Sequence, residues 1–143
     1  MPDNYNIQRF IQAQELYNSY NNALSEIQNG RKLSHWIWYV FPQMKGLGHS
    51  RRSNYYGISS LEEARAYLGN DILKSRPIEI CNALLLHSDK TPREILGVID
   101  AHKVKSSMTL FDIIAPNEVF GKVLSVFYNG SHCMSTLEIL DLA

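Results

Sequence analysis

Three stretches of this chain mix groups that can do chemistry. In the first, His35 sits between Ser34 and Trp36, and Gln43 follows at the end of an apolar run. An imidazole titrates near neutral pH, so His35 is a candidate general acid or base. Trp36 offers an aromatic wall, and Gln43 an amide able to read a second amide or a base edge. The second stretch holds Lys45, Gly46, Gly48, Ser50 and Arg51. Two glycines let successive backbone N–H groups curl around an anion, and cations and hydroxyls beside them suit phosphate or carboxylate. A basic loop beside aromatic rings is also a way of holding bases by stacking. In the third, Asp100 precedes Lys103, Ser106 and Ser107. On a helix Lys103 lies beside both serines, so one ammonium and two hydroxyls could clamp an oxyanion, with Asp100 as a candidate catalytic carboxylate. Each stretch also has a plainer reading. A histidine among rings can hold a backbone carbonyl, Gln43 can cap a helix, small serines let helices approach, and lysines can simply be solvated.

Other chemistries are missing from the sequence. It contains no HExxH, GxSxG, SxxK, P-loop or GxGxxG, which removes the signatures of metalloproteases, α/β-hydrolases, penicillin-binding enzymes, nucleoside triphosphatases and dinucleotide-binding folds. The five histidines fall at no ligand spacing, and Cys81 and Cys133 form no CxxC pair, so the expectation is no metal and no cofactor. Cys81 lies among apolar residues and reads as a core thiol. Fourteen basic and fourteen acidic residues cancel, which argues against a duplex-coating protein. The distribution is less even. Between Ile27 and Leu61 there is no Asp or Glu but five cations, Arg31, Lys32, Lys45, Arg51 and Arg52. Such a local field can steer anions, or be a solvated face. No apolar signal segment or run of transmembrane length is present, so the cytoplasm is the expected compartment and the Asn129-Gly130-Ser131 sequon is of no consequence.

These residues need elements to position them, and the periodicity is helical throughout. A chain of 143 residues is expected to form a single domain, residues 1–143. Ile7, Phe10, Ile11 and Gln14 share a face that drifts near Glu15–Tyr17, as at a join between two helices; Tyr17, Tyr20, Leu24 and Ile27 continue it to Asn29-Gly30. Six apolar residues, Trp36 to Phe41, predict a short buried helix with Ser34 as N-cap and Pro42 as its end. Ser60–Glu63 fits a capping box, and Pro77 suits the first turn of a further helix. Thr91–Glu94 fits a second box, His102 to Ala115 reads as a helix, Asn117 as the cap of the next, and Ser135 opens the last. No stretch alternates as a strand would. The expected fold is all-α, compact and without significant sheet, with about seven to nine helices.

Several of these segments together resemble the domain-of-unknown-function 1810 family. They are Ser34-His35-Trp36-x-Trp38-x-x-Phe41-Pro42-Gln43, Gly46-Leu47-Gly48-x-Ser50, Tyr56-x-Ile58-x-Ser60-x-x-Glu63-Ala64, and Lys103-x-x-Ser106-Ser107-Met108-Thr109-Leu110-Phe111, with Arg9-Phe10-x-x-Ala13-Gln14 at the start and Thr136-Leu137 near the end. The resemblance implies a compact helical domain and brings no secure activity with it. The chain departs from the family pattern in having Leu96 before Gly97, and Cys133 and Met134 where an acidic residue often precedes the final Thr-Leu.

The leading expectation is a pocket for a small anion or nucleotide-like, phosphorylated molecule. His35, Trp36 and Gln43 would form its walls, and the basic loop and the Lys103–Ser107 segment would supply charge and hydroxyls. Were it an enzyme, His35 or Asp100 would serve transfer or hydrolysis on a phosphorylated or ribosylated substrate. The alternative is a non-enzymatic module contacting protein or RNA. A third reading has the motifs meet only to hold helices together through buried hydrogen bonds.

Overall fold

The computed structural model describes residues 5–142. Among them the regular elements are all helical: α1 (Gln8–Glu15), α2 (Ser19–Gln28), α3 (Ile37–Val40), α4 (Arg51–Tyr56), α5 (Leu61–Gly69), α6 (Asp71–Leu85), α7 (Pro92–Leu96), α8 (Val98–Ile114), α9 (Val119–Tyr128) and α10 (Met134–Ile139). No strand forms among the described residues. One isolated parallel bridge pairs Met44 with Ile58. It is made by Lys45 N–H to the Ile58 carbonyl at 2.8 Å and Ile58 N–H to the Gln43 carbonyl at 2.9 Å, and so fixes where Gln43 emerges.

α8 is the central element. It packs against α9, α7, α5, α10 and α3, and a continuous run from Ser106 to Phe111 is buried. A helix enclosed on so many sides has little amphipathic contrast. A line of rings crosses the interior from α1 to α9. Phe10 meets Tyr67 edge-on at 4.9 Å, Tyr67 stacks on Phe111 at 5.3 Å, and Phe111 leans on Phe120 at 5.3 Å. Aromatic pairs in these geometries add about 0.5–1.5 kcal/mol each beyond their burial.

Where the motif residues meet the core, several are structural. Arg9 and Glu63 form an ion pair at 2.7 Å, with side chains 8% and 4% exposed. Arg9 also donates to the carbonyls of Tyr5, Asn6, Tyr55 and Gly57, and Glu63 accepts from Ser59 N–H and Oγ. A buried pair is tolerated when its remaining donors and acceptors are satisfied in this way. Gln14 donates to the Tyr39 carbonyl at 2.7 Å and accepts from Arg76 at 2.9 Å, tying α1 to α3 and α6.

Local boundaries differ from the sequence expectations for identifiable reasons. The break near Glu15–Tyr17 is present as a 3₁₀ turn, Leu16–Asn18, in which Tyr17 and Asn18 are both left-handed. The helix after Ser34 begins only at Ile37, so Ser34 is not its N-cap; Trp36 occupies that place without a side-chain cap. Pro77 does not open a helix but lies inside α6, because Asn70 caps earlier, its side chain accepting from Ile72 and Leu73 N–H. α8 begins at Val98 rather than His102; exposed Val98 and Ile99 in its first turn break the apolar period. Glu118 rather than Asn117 occupies the N-cap position of α9, without a side-chain hydrogen bond, and α10 starts at Met134 with Cys133 in the cap position. α4, unforeseen, is capped by Ser50 accepting from Ser53 N–H.

Candidate functional site

α3 divides its own side chains between the interior and the surface. Trp36, Ile37, Val40 and Phe41 are buried to within 2% exposure, while Trp38 and Tyr39 remain half-buried. Trp38 lines more than one surface depression. The Lys103 ammonium and the Arg52 guanidinium each lie 5.0 Å from its ring centroid, a distance at which a cation is attracted by the indole face.

On the Lys103 side is a basic cleft of about 560 Å³. The polypeptide before α4 supplies Gln43 and Gly48, α8 supplies Lys103, Lys105 and Ser106, and the residues entering α10 supply His132 and Cys133. His102 completes one wall, and no carboxylate lines the cleft. Three positional devices hold this arrangement. The Met44–Ile58 bridge fixes Gln43. Gly48 lets α4 approach, since a β-carbon there would stand 2.4 Å from Ser53 Oγ. Thr109 Oγ1 accepts from Cys133 N–H at 2.9 Å, docking the start of α10 on α8.

Cys133 itself has an unusual setting. Ser106 Oγ lies 3.1 Å from its sulfur. Thr136 Oγ1, wholly buried, sits beside the sulfur without reaching hydrogen-bond geometry. Burial pushes the thiol up, but the Ser106 hydroxyl and the N–H groups of Thr136 and Ser135 outweigh it, leaving the pKa below the ordinary thiol value. Cys81, by contrast, is fully buried and driven far up by desolvation.

His35 and Asp100, the two candidate catalytic groups, face another depression, of about 390 Å³, beside Lys32 and Trp38. Asp100 is engaged there by two ammonium groups, Lys32 Nζ at 2.8 Å from Oδ2 and Lys103 Nζ at 3.9 Å from Oδ1. It thereby helps to position Lys103. His35 is exposed and also lines a third, aromatic cleft of about 380 Å³.

The sequence-predicted residues are therefore only partly united. Gln43, Gly48, Lys103 and Ser106 meet in the basic cleft. His35, Trp36 and Asp100 do not line it: His35 and Trp36 line the aromatic cleft, and His35 and Asp100 the depression beside Lys32. Lys45, Gly46, Ser50 and Arg51 line neither the basic nor the aromatic cleft. Of the two glycines expected to form an anion nest, Gly46 has a positive φ of 103° and Gly48 does not. Ser107 is wholly buried, its hydroxyl without a hydrogen-bond partner among the described residues.

Some cleft residues escaped the sequence reading. His102 and Lys105 fall at helical spacing beside Ser106 on one face of α8, which is a legible signal. His132 and Cys133 carry none, because the docking of α10 brings them in. Glu26 was also missed: its Oε1 accepts from Leu33 N–H, Ser34 N–H and Trp36 Nε1, anchoring the segment that carries His35. Among the described residues no group of three or more metal-binding side chains converges, and no helix is long and apolar enough to cross a membrane.

Comparison with known proteins agrees with this architecture. The conserved hypothetical protein Rv1873 from Mycobacterium tuberculosis, known from a crystal structure, is 39% identical to this chain, with a TM-score of 0.93 over 99% of this chain and 100% of that one. No curated protein shows significant similarity. The profile of the family "Protein of unknown function (DUF1810)" matches residues 4–140. With nearly its whole length matched, the chain belongs to the DUF1810 family of proteins of unknown function.

Proposed function

We propose that this protein binds a small phosphorylated ligand in the basic cleft between α8, the Gln43–Gly48 segment and the start of α10. One observation carries the reading. Segments far apart in sequence deliver Gln43, Gly48, Lys103, Lys105 and Ser106 to one cleft of about 560 Å³ that no carboxylate lines. Ammonium groups supply charge and the Gln43 amide supplies directional hydrogen bonds, while the Ser106 hydroxyl is held by the His102 carbonyl and the Cys133 sulfur at the cleft wall. Lys103, fixed between Asp100 and Trp38, meets an anion without ordering a free side chain first. Transfer or hydrolysis on that ligand would fall to His35 and Asp100 in the neighbouring depression.

The test is a thermal-shift series with inorganic phosphate and sugar phosphates, followed by calorimetry. Ligand at a hundred times its Kd raises stability by about 2.7 kcal/mol. Lys105→Ala and Lys103→Ala should remove the shift, and added salt should weaken it. A flat response to every phosphorylated compound, or a shift that survives both substitutions, rules the reading out.

A further inference from the structure

The cleft that Trp38 lines with His35 and Arg52 is made of rings. Tyr17, Trp38, Tyr39 and Tyr56 line a space of about 380 Å³, with His35 and Arg52 at its polar positions. Small-molecule sites have volumes of this order and just this balance, mostly apolar and aromatic walls with a few placed polar groups. Most of the rings are fixed beforehand. The Tyr39 hydroxyl is 2.6 Å from Ser19 Oγ, and the Tyr39 and Tyr56 rings lie 5.4 Å apart.

Tyr17 is the exception, and it does not serve the core. Its side chain is 88% exposed at the rim of this cleft. Its backbone is left-handed, φ 54° and ψ 29°, and Asn18 after it is left-handed too. Residues with a β-carbon seldom adopt that conformation. Asn22 secures the bend by donating from Nδ2 to the Tyr17 carbonyl at 3.2 Å. A strained backbone that sets a large ring in water is the kind of outlier from which a role toward an outside group is inferred.

Position and charge narrow that group. Trp38 lines the aromatic cleft, and the Lys103 ammonium, 5.0 Å from its ring centroid, lines the basic one. A ring that lines the aromatic cleft and a cation that lines the basic one thus lie side by side, and a planar base joined to an anion is the layout of a mononucleotide. A base within a nucleic-acid strand fits less well. Strand binding needs a continuous basic path for successive phosphates, and the chain is neutral overall.

We propose that the aromatic cleft seats the base of a mononucleotide whose phosphate occupies the basic cleft. The proposal rests on the phosphate reading above and adds to it the class of ligand.

The chain has two tryptophans, so its ¹⁵N-correlated NMR spectrum has two indole N–H signals, and Trp38→Phe identifies one. The full chain is titrated with the four ribonucleoside 5′-monophosphates, the matching nucleosides, inorganic phosphate and short single-stranded oligonucleotides. At least one monophosphate is expected to move the Trp38 signal and to bind about tenfold or more tighter than its nucleoside or phosphate. Tyr17→Ala, at an exposed site, should weaken that monophosphate about tenfold, as loss of one stacking ring does, and leave inorganic phosphate unaffected. Monophosphates binding no tighter than phosphate, or indifferent to Tyr17→Ala, would overturn the base site and leave the phosphate reading standing. A nucleoside binding as tightly as its monophosphate, with Lys105→Ala silent, would overturn both. An oligonucleotide binding more tightly than every monophosphate would overturn the proposal in favour of a strand, and silence from every probe would overturn both readings.

Discussion

Glu26 Oε1 accepts a hydrogen bond from Trp36 Nε1 at 2.9 Å, across ten residues of chain. The same oxygen accepts from Leu33 and Ser34 N–H, so one carboxylate in α2 pins the whole approach to α3. Glu26 stands just before the stretch of chain that has no acid of its own, and it supplies from outside the negative charge that this stretch lacks.

Acid stability should report this contact. Burial raises the Glu26 pKa, but hydrogen bonds from Ser34, Leu33 and Trp36 outweigh it and hold the carboxyl below its ordinary value. A group with a lowered folded-state pKa contributes stability above its unfolded value and loses it as pH falls through the folded one. Glu26→Gln is expected to cost about 1–3 kcal/mol at neutral pH, in line with hydrogen bonds to a charged group. That difference should shrink as the solution is acidified below the carboxylate range. Urea unfolding of both proteins over a pH series checks it, and a difference independent of pH would refute the assignment.

The Arg9–Glu63 pair makes a second prediction. Arg9→Met leaves Glu63 buried without its cation and is expected to cost about 3–5 kcal/mol. Arg9→Met combined with Glu63→Leu should recover a large part of that loss, because no uncompensated charge remains. Denaturant midpoints of the two single variants and the double variant supply the cycle. Strict additivity would show that the two side chains act independently.

Cys133 and Cys81 should differ sharply in reactivity. With its pKa lowered, Cys133 presents more thiolate near neutral pH, whereas Cys81 is buried and protonated. Iodoacetamide followed by peptide mass spectrometry is expected to label Cys133 first, with a half-maximal rate at a lower pH than an unperturbed cysteine in the same assay. Ser106→Ala should move that profile upward. Equal labelling of both cysteines in the folded chain, or a profile unmoved by Ser106→Ala, would contradict the geometry.

Local signals were legible in the sequence wherever a side chain answers its own backbone. Thr91 and Glu94 form the complete capping box that their spacing predicts. At Ser60 half the box is present: Ser60 Oγ accepts from Glu63 N–H, but the Glu63 carboxylate turns to Arg9 and Ser59 instead. The third motif divides in a similar way. Lys103 and Ser106 reach the cleft, whereas Ser107 is inside and Thr109 holds α10. Residue types and spacing do not decide such divisions; they follow from which helix packs on α8, and that is set by contacts between residues far apart in the chain.

The start of α10 is held to α8 by Thr109 and by the Ser106–Cys133 contact. The basic cleft therefore has one wall from the body of the protein and one from its last helix. Any occupant touching both would act as a clasp, slowing amide exchange in Met134–Ile139 while leaving the line of rings through the interior as it was.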